Sequence, residues 1–544
     1  MRNDGCYAAG YVAYEAAAAF GLPTHAPRAD GPPLVCFGLF EPDSVTSQRA
    51  LRTGGSYSTG AWHSSIDRAA YVDAIRAIKA RIEAGDTCQI NLTFRSTASF
   101  SGDPVTLLRD LDAAQDGPWG AYVDDGRFAI CSASPELFVR VDGDRIECRP
   151  MKGTASRGLW PAADRQQAER LLASPKERAE NVMVVDVVRN DLGRVAETAS
   201  VDVAALFHAE RYPLQWQMTS TVVARIADKT LLELFEALFP SGSVTGAPKH
   251  SSMGIIRELE TTPRGIYTGA IGYLSPHGRA HFNVAIRTIA VDRQRGEAEF
   301  GVGSGIVRDS IDGDEYNECV LKSSILLTRP PGSYAAGPHP AFQLLETIGW
   351  TPDGGFALLD RHLSRLQGSA ECFGFACDLA EVRTVLEGAV RDLAGPAKVR
   401  LLLGRDGAIV CQAVDLPRST DRPMRVALAA DPIDPANVFL YHKTTARDVY
   451  ERARAARPDA DAVLLWNRSG EITEGTEANV IVEIGGDKVT PPVECGLLGG
   501  TLRAELLATG AIRERRVRVD DLARATGIWL INSVREWMPV TMIE

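Results

Sequence analysis

Two lysines and a scattered set of carboxylates are the residues of this sequence with the most chemistry in them. Lys152 sits in Pro150-Met151-Lys152-Gly153-Thr154, a glycine-bearing turn among strand-like runs. A lysine amine is a nucleophile only when uncharged, a state that burial or a nearby cation favours. Lys443 stands in Tyr441-His442-Lys443-Thr444-Thr445-Ala446-Arg447. Taken alone, each lysine reads as a solvated surface charge. Glu136, in Ser134-Pro135-Glu136-Leu137-Phe138, becomes a proton donor if burial or neighbours keep its carboxyl protonated. Glu315, Glu318 and Lys322 fall at i, i+3 and i+7 and share one face of a helix. That spacing suits an ordinary salt-bridge stripe, and equally a hard cation held by few protein oxygens. Gly301-Val302-Gly303-Ser304-Gly305 reads as a loop offering backbone N–H groups, a weak signal as a glycine motif alone.

The elements that must position these groups show in the periodicity. Tyr7 to Ala17 reads as a strand running into a helix, and a chain starting there would leave a sheet edge unpaired if strands are missing before it. Ile66, Tyr71, Ile75, Ile78 and Ile82 recur at helical spacing, and Gly85 suits a left-handed cap. Gln89 follows on a strand. Alternation over 128–132 and 137–141 puts Glu136 at the turn between two strands. Residues 176–194 form one long helix with Met183, Val184, Val187 and Val188 inward and a glycine cap at its end. Residues 329–341 lose all periodicity and gain Pro and Gly, which marks a linker between domains at 1–328 and 342–544.

Length and composition bound the reading. A chain of 544 residues exceeds one core and allows two to four domains at about 150 residues each. Lys and Arg number 59 against 70 acids, a net charge of -11 that argues against nucleic acid or an anionic membrane as partner. The 10 cysteines include no Cys-x-x-Cys pair, so neither a disulfide framework nor a zinc site is expected. The Ala-rich start lacks a signal pattern, and no apolar run reaches the ~18 residues of a membrane span. A cytoplasmic protein with reduced thiols is expected.

Taken together, the runs 85–93, 134–138, 150–154, 176–181, 239–249 and 315–318 resemble the chorismate-utilising enzymes over roughly residues 7 to 328. Within that group a lysine at position 152 resembles the aminodeoxychorismate synthases, where anthranilate synthases carry alanine. The resemblance implies that Lys152 attacks the ring, that Glu136 protonates the departing hydroxyl, and that Glu180 and Glu318 bind Mg²⁺ with Glu315 reaching it through water. It implies further that Lys322, Tyr267, Arg287, Thr154 and Gly303 hold the substrate. Gln89 stands where the water-adding relatives place a lysine, which favours a nitrogen nucleophile over water. Gln217 replaces a histidine common among relatives; its amide hydrogen-bonds a carboxylate but adds no charge.

From 342 to 544, the runs 342–347, 359–366, 441–447, 472–479 and 496–503 resemble the fold-type IV pyridoxal phosphate enzymes, which include branched-chain and D-amino acid aminotransferases and aminodeoxychorismate lyase. Lys443 would carry the cofactor and act as base, and Glu474 would hold its ring nitrogen. Arg365 and the backbone N–H groups of Thr501 and Leu502 would hold its phosphate. The expected fold is α+β in two parts: a sheet-and-helix sandwich of the chorismate-utilising type, then a fold-type IV α+β domain. The expected activity is amination of chorismate followed by pyruvate elimination to 4-aminobenzoate, for folate. Ammonia would come from a glutamine amidotransferase subunit, and the second domain would pair into a homodimer. An anthranilate synthase fused to an aminotransferase, and a first domain decayed to a scaffold docking the glutaminase, are the alternatives.

Overall fold

The computed structural model describes residues 5–46, 55–213, 215–227, 229–326, 342–416 and 422–544. The expected linker, 329–341, lies outside the described residues. The chain divides into two compact units, residues 1–157 with 166–333 and residues 158–165 with 334–544. Both are α+β, as the sequence leads one to expect.

The first unit carries two antiparallel sheets. One runs in the order Met151–Ser156, Gln215–Arg225, Arg145–Arg149, Leu137–Asp142, Ala280–Val284, Ala270–Leu274, Tyr7–Val12 and Val35–Phe40, with Asp202–Arg211 also on the second of these strands. Tyr7–Val12 is paired on both sides, with Val35–Phe40 beyond it. The other sheet is built around Gln89–Gly102 and Glu297–Ile306, which pair from Ser99↔Glu297 to Ile90↔Ile306. Each sheet has its own apolar core. The helix Arg68–Glu83 buries Tyr71, Ala74, Ile75 and Ile78 on the second sheet. Asp67 caps its start by accepting from the Ala70 N–H, and Gly85 follows its end at φ +82°. The helix Pro175–Gly193 buries Val184, Val185 and Val188 on the first sheet. Its end differs from the expectation. Arg194 closes it with right-handed angles, so Gly193 supplies no left-handed cap.

The glycine run at 301–305 is likewise no loop. It lies inside the strand Glu297–Ile306, hydrogen-bonded to its neighbour throughout. Glycine serves there for the space it leaves. A Cβ at Gly301 would overlap the Tyr267 ring, and one at Gly303 would crowd Leu92 and Thr93.

A fully buried ion cluster links these parts. Glu260 accepts from the Thr93 N–H and hydroxyl, from Arg95 Nη2 at 3.1 Å, and from Arg264 Nη2 and Nε at 2.7 and 3.0 Å. The remaining Arg264 donors reach the Val244 and Asn91 carbonyls, each at 2.7 Å. Glu15 in turn accepts from the Arg264 and Gly265 N–H groups.

The second unit holds a four-stranded antiparallel sheet, ordered Gly355–Phe356, Leu344–Thr351, Ala397–Leu403, Ile409–Asp415, under the helices Leu359–Phe373 and Leu379–Val390. It also holds an eight-stranded mixed sheet in which Met424–Leu428 runs parallel to both its neighbours. No disulfide joins any cysteine, and among the described residues no helix is long and apolar enough to cross a membrane.

Removing one partner of a buried charge cluster strands the others without water or counter-ion. Glu260→Gln should therefore cost about 3–5 kcal/mol of unfolding free energy, measured by urea denaturation of the first unit's transition. A loss under about 1 kcal/mol would show that the two arginines are solvated some other way.

Candidate active sites

Lys152 is placed by a bulge. Along Met151–Ser156 the register against Gln215–Arg225 passes from Met151↔Thr219 to Thr154↔Gln217, so three steps on one strand oppose two on the other. The extra residue is accommodated at Gly153, whose φ is +107° and whose Cβ would meet Glu177 and Met218 at 3.1 and 3.2 Å. The expected turn is thus a kinked strand. Asn181 Nδ2 donates to the Lys152 carbonyl at 3.1 Å and fixes the kink to the helix Pro175–Gly193. The Lys152 amine comes to rest over Gly305, where a Cβ would overlap Nζ.

Around that amine lies a cavity of about 380 Å³. Its wall takes Glu136, Lys152, Thr154, Glu180, Gln217, Tyr267, Arg287, Gly303, Glu315, Glu318 and Lys322, which gathers almost every residue singled out in the first 328. Gln89 is the exception. It is buried behind the wall, with its amide and the Lys152 amine both close to Gly305.

Glu136 is 3% exposed. Burial pushes its carboxyl up to about 7, against hydrogen bonds from Ser243 Oγ at 2.5 Å and from the Met151 backbone that favour the anion. A carboxyl so placed holds a proton near neutrality and lies beside the strand that carries Lys152. Thr154 Oγ1 donates to Gln217 Oε1 at 3.2 Å, so these two expected substrate contacts are joined to each other.

Tyr267 and Arg287 come from two segments held against each other by the Thr268 N–H to Ala285 carbonyl bond. Thr268 at φ +62° and Arg287 at φ +52° are both left-handed without being glycine. Such strain persists only where the surroundings impose it, and it gathers at binding sites. Burial pushes the Arg287 guanidinium down to about 10, and its Nη1 donates to the Lys322 carbonyl at 2.5 Å.

The carboxylates come from two helices, Glu180 from Pro175–Gly193 and Glu315 and Glu318 from Asp312–Ser323. Lys176 Nζ lies 3.8 Å from Glu180 and 3.6 Å from Glu315, so the two acids face one positive charge. Lys152 Nζ is 3.8 Å from Glu180, and Lys322 Nζ is 2.5 Å from Glu318. Burial raises Glu180; at Glu318 burial acts the same way, but Lys322 prevails and holds the carboxyl low. Among the described residues no three acid, histidine or cysteine side chains form a group able to hold a metal. An ion that keeps several waters and takes one or two carboxylates is the kind this donor set fits, which is the habit of Mg²⁺. Ser243, Asn181 and Lys176 carry no role in the sequence reading; all three stand inside runs that mark the site, but Glu136, Lys152 and Glu315, which they meet, are distant in sequence.

In the second unit a cavity of about 300 Å³ is lined by Lys443, Arg365, Glu474, Thr501 and Leu502. Burial and the nearby Arg365 push the Lys443 amine down to about 8. Glu474 is pushed up to about 7 by burial, while Tyr450 Oη at 2.7 Å, the Leu498 N–H at 3.1 Å and Asn479 Nδ2 at 3.1 Å all donate to it. Arg365 is aimed by Glu346, which accepts from its Nε and Nη2 at 2.8 and 2.6 Å and also pairs with His362. The helix Thr501–Ala508 opens at Gly500 with no side-chain cap, leaving N–H groups of its first turn available to an anion. A buried amine, a buried acid and an anion cradle fit pyridoxal phosphate. Glu346, His362 and Asn479 stand inside runs the sequence reading singled out but were given no role there, and Tyr450 lies outside those runs.

Residues 1–328 match the family model described as chorismate binding enzyme. The chain belongs to that family. Residues 343–543 match the model for class IV amino-transferases. Among relatives, aminodeoxychorismate synthase component 1 of Salmonella typhimurium is 41% identical over 284 residues, 52% of this chain and 62% of the relative. Anthranilate synthase component 1 of Aquifex aeolicus is 39% identical over 267 residues, 49% of this chain and 54% of the relative. The chain thus spans about three fifths of the length of these curated relatives. The crystal structure of anthranilate synthase component I from Streptococcus pneumoniae superposes with a TM-score of 0.52 at 28% identity, covering 59% of this chain and 80% of that one.

Two outcomes follow from the geometry. Gly305→Ala should displace the Lys152 amine and lower turnover in this cavity by roughly 100-fold with the unfolding midpoint little changed; undiminished turnover would show that the amine need not sit there. Glu136, held protonated up to about 7, loses its proton as pH rises through that value. The profile of kcat/KM for chorismate should fall on that alkaline limb. Glu136→Gln should remove the limb along with roughly 100-fold or more of the activity, and a limb that survives the substitution belongs to another group.

Proposed function

We propose that the first unit aminates chorismate to 4-amino-4-deoxychorismate and that the second eliminates pyruvate from it to give 4-aminobenzoate, a precursor of folate. The observation that carries the reading is Lys152, its amine in one cavity with the buried, proton-holding Glu136. Relatives named as aminodeoxychorismate and anthranilate synthases are about equally identical to this chain, so overall identity does not choose between them. The lysine does.

In the first unit the Lys152 amine bonds to ring carbon C2, both ring double bonds shift by one position toward C4, and the C4 hydroxyl leaves as water with the Glu136 proton. Ammonia then bonds to C4, the double bonds shift back and the C2–nitrogen bond breaks; the new ammonium returns one proton to Glu136, and Lys152 leaves as the neutral amine it began as. Tyr267, Arg287 and Lys322 hold the substrate carboxylates, the arginine fork suiting a planar anion. Glu180 and Glu318 would hold Mg²⁺, which when bound neutralises the ring carboxylate.

In the second unit pyridoxal phosphate supplies an electron sink. Lys443 would hold it and take the proton from C4, Glu474 would orient its ring nitrogen, and Arg365 with the start of Thr501–Ala508 would hold its phosphate. A separate glutamine amidotransferase subunit delivers the ammonia.

With chorismate, Mg²⁺ and ammonium at alkaline pH, the purified chain should form 4-aminobenzoate and pyruvate, and scarcely any with glutamine until the amidotransferase subunit is added. Lys152→Ala should abolish amination yet leave pyruvate release from supplied 4-amino-4-deoxychorismate intact. Anthranilate as product, or undiminished amination by the variant, would sink this mechanism.

A further inference from the structure

Lys443 lies in a stretch with little regular structure, between the turn Val438–Leu440 and the helix Asp448–Ala456. Its backbone is tied through the Leu345 N–H, which donates to its carbonyl at 2.9 Å. The two ends by which this cavity would hold a cofactor, the Lys443 amine and the Arg365 guanidinium, come from separate elements. Something must set the distance between them.

The second unit includes a segment that stands far ahead of the rest of it in the chain, residues 158–165. It forms a closed turn. The Gly158 N–H donates to Asp164 Oδ1 at 2.8 Å, and the buried Asp164 donates its own N–H to the Trp160 carbonyl at 2.9 Å. Only glycine fits at 158, where a Cβ would stand 2.2 Å from the Asp164 nitrogen. Pro161 opens the helix Pro161–Ala173, a first position that needs no N–H.

The contacts of this turn converge on the second cavity from behind. Trp160 stacks on Tyr441, with ring centres 5.1 Å apart at 24°. The Leu159 carbonyl accepts from His442 Nε2 at 3.1 Å. A carbonyl only accepts, so that nitrogen carries a hydrogen, while His442 Nδ1 meets Ser369 Oγ at 2.9 Å. Tyr441 and His442 are the two residues before Lys443. Pro161 lies against Gly368, where a Cβ would meet its ring at 2.9 Å. Gly368 and Ser369 belong to the helix Leu359–Phe373, which carries Arg365. Leu159 and Trp160 also pack with Tyr450, the phenol that donates to Glu474.

We propose that Leu159 and Trp160 are positioning residues of the second cavity: their turn fixes the span between Lys443 and Arg365, so that one cofactor is held at both ends. Neither residue lines the cavity. They act through Tyr441, His442 and the helix Leu359–Phe373. A ligand bound at two points depends on the span between them, and a ligand bound at one point does not. The inference rests on the reading of Lys443 as the residue that holds pyridoxal phosphate.

The test uses the full chain and two probes. Pyridoxal phosphate is titrated by its change in visible absorbance on binding, and inorganic phosphate by its competition for the same cavity. Trp160→Leu keeps an apolar side chain in the core and removes the stack. It should weaken pyridoxal phosphate by about tenfold, the size of one aromatic pair, and change inorganic phosphate little. Tyr441→Leu should cost the same, and the two together no more than either, because they remove one contact. Trp160→Phe should keep most of the affinity. A Trp160→Leu chain that binds pyridoxal phosphate like wild type, an equal loss for both probes, or losses that add in the double variant would overturn the proposal. A wild type that takes up no pyridoxal phosphate would remove the reading of the second unit, and the proposal with it.

Discussion

One carboxylate, Glu260, takes two guanidinium groups and a backbone N–H out of water together, and much of the first unit is arranged to let it do so. Through Arg264 it reaches Asn91 on the central strand of one sheet and Val244 beside Ser243, the residue that donates to Glu136. Through Arg95 it places a guanidinium 5.2 Å from the centre of the Tyr267 ring. Such a cluster is poor evidence of stability, since burying its charges costs about what their attraction returns. What it supplies is position. The segments bearing Tyr267 and Ser243 and the strand behind Gly305 are tied to a common point that water does not enter.

Both cavities contain a buried acid brought to about 7 by the same cause, and they differ in how that acid is held. Glu136 has a hydroxyl and one backbone donor, and its carboxyl is close to a single amine. Glu474 has a phenol, an amide and a backbone N–H fixed around it. Three donors fix a carboxyl more firmly than two, so one side-chain type meets two environments that share the same upward push from burial.

Much of this was legible beforehand because short motifs with chemistry in them, around Lys152, Glu136, Glu180, Glu318 and Lys443, sit on elements whose periodicity is clear. What escaped has physical reasons. Glycine lowers strand propensity, so Gly301 to Gly305 reads as a loop; its reason for being in a strand is the shape of Tyr267 and Lys152, which approach from elsewhere in the chain. Glu260 and Arg264 at i, i+4 look like a surface pair, and only tertiary burial makes them a hub. Gln89 is at the expected place in sequence but outside the cavity lining, its amide and the Lys152 amine both lying close to Gly305.

The bulge at Lys152 and Gly153 means that the strand has two parities. Counting alternate residues from Ser156 backwards and from Met151 forwards gives opposite answers for which side of the sheet a residue faces. The Lys152 amine stands where the counts disagree. Its aim is therefore an arithmetic property of the backbone as much as a chemical property of lysine: loss of one residue from the kink would leave the composition almost intact and turn the amine toward the other layer. In aligning distant relatives, a gap of a single position here decides which side of the sheet the Lys152 amine takes.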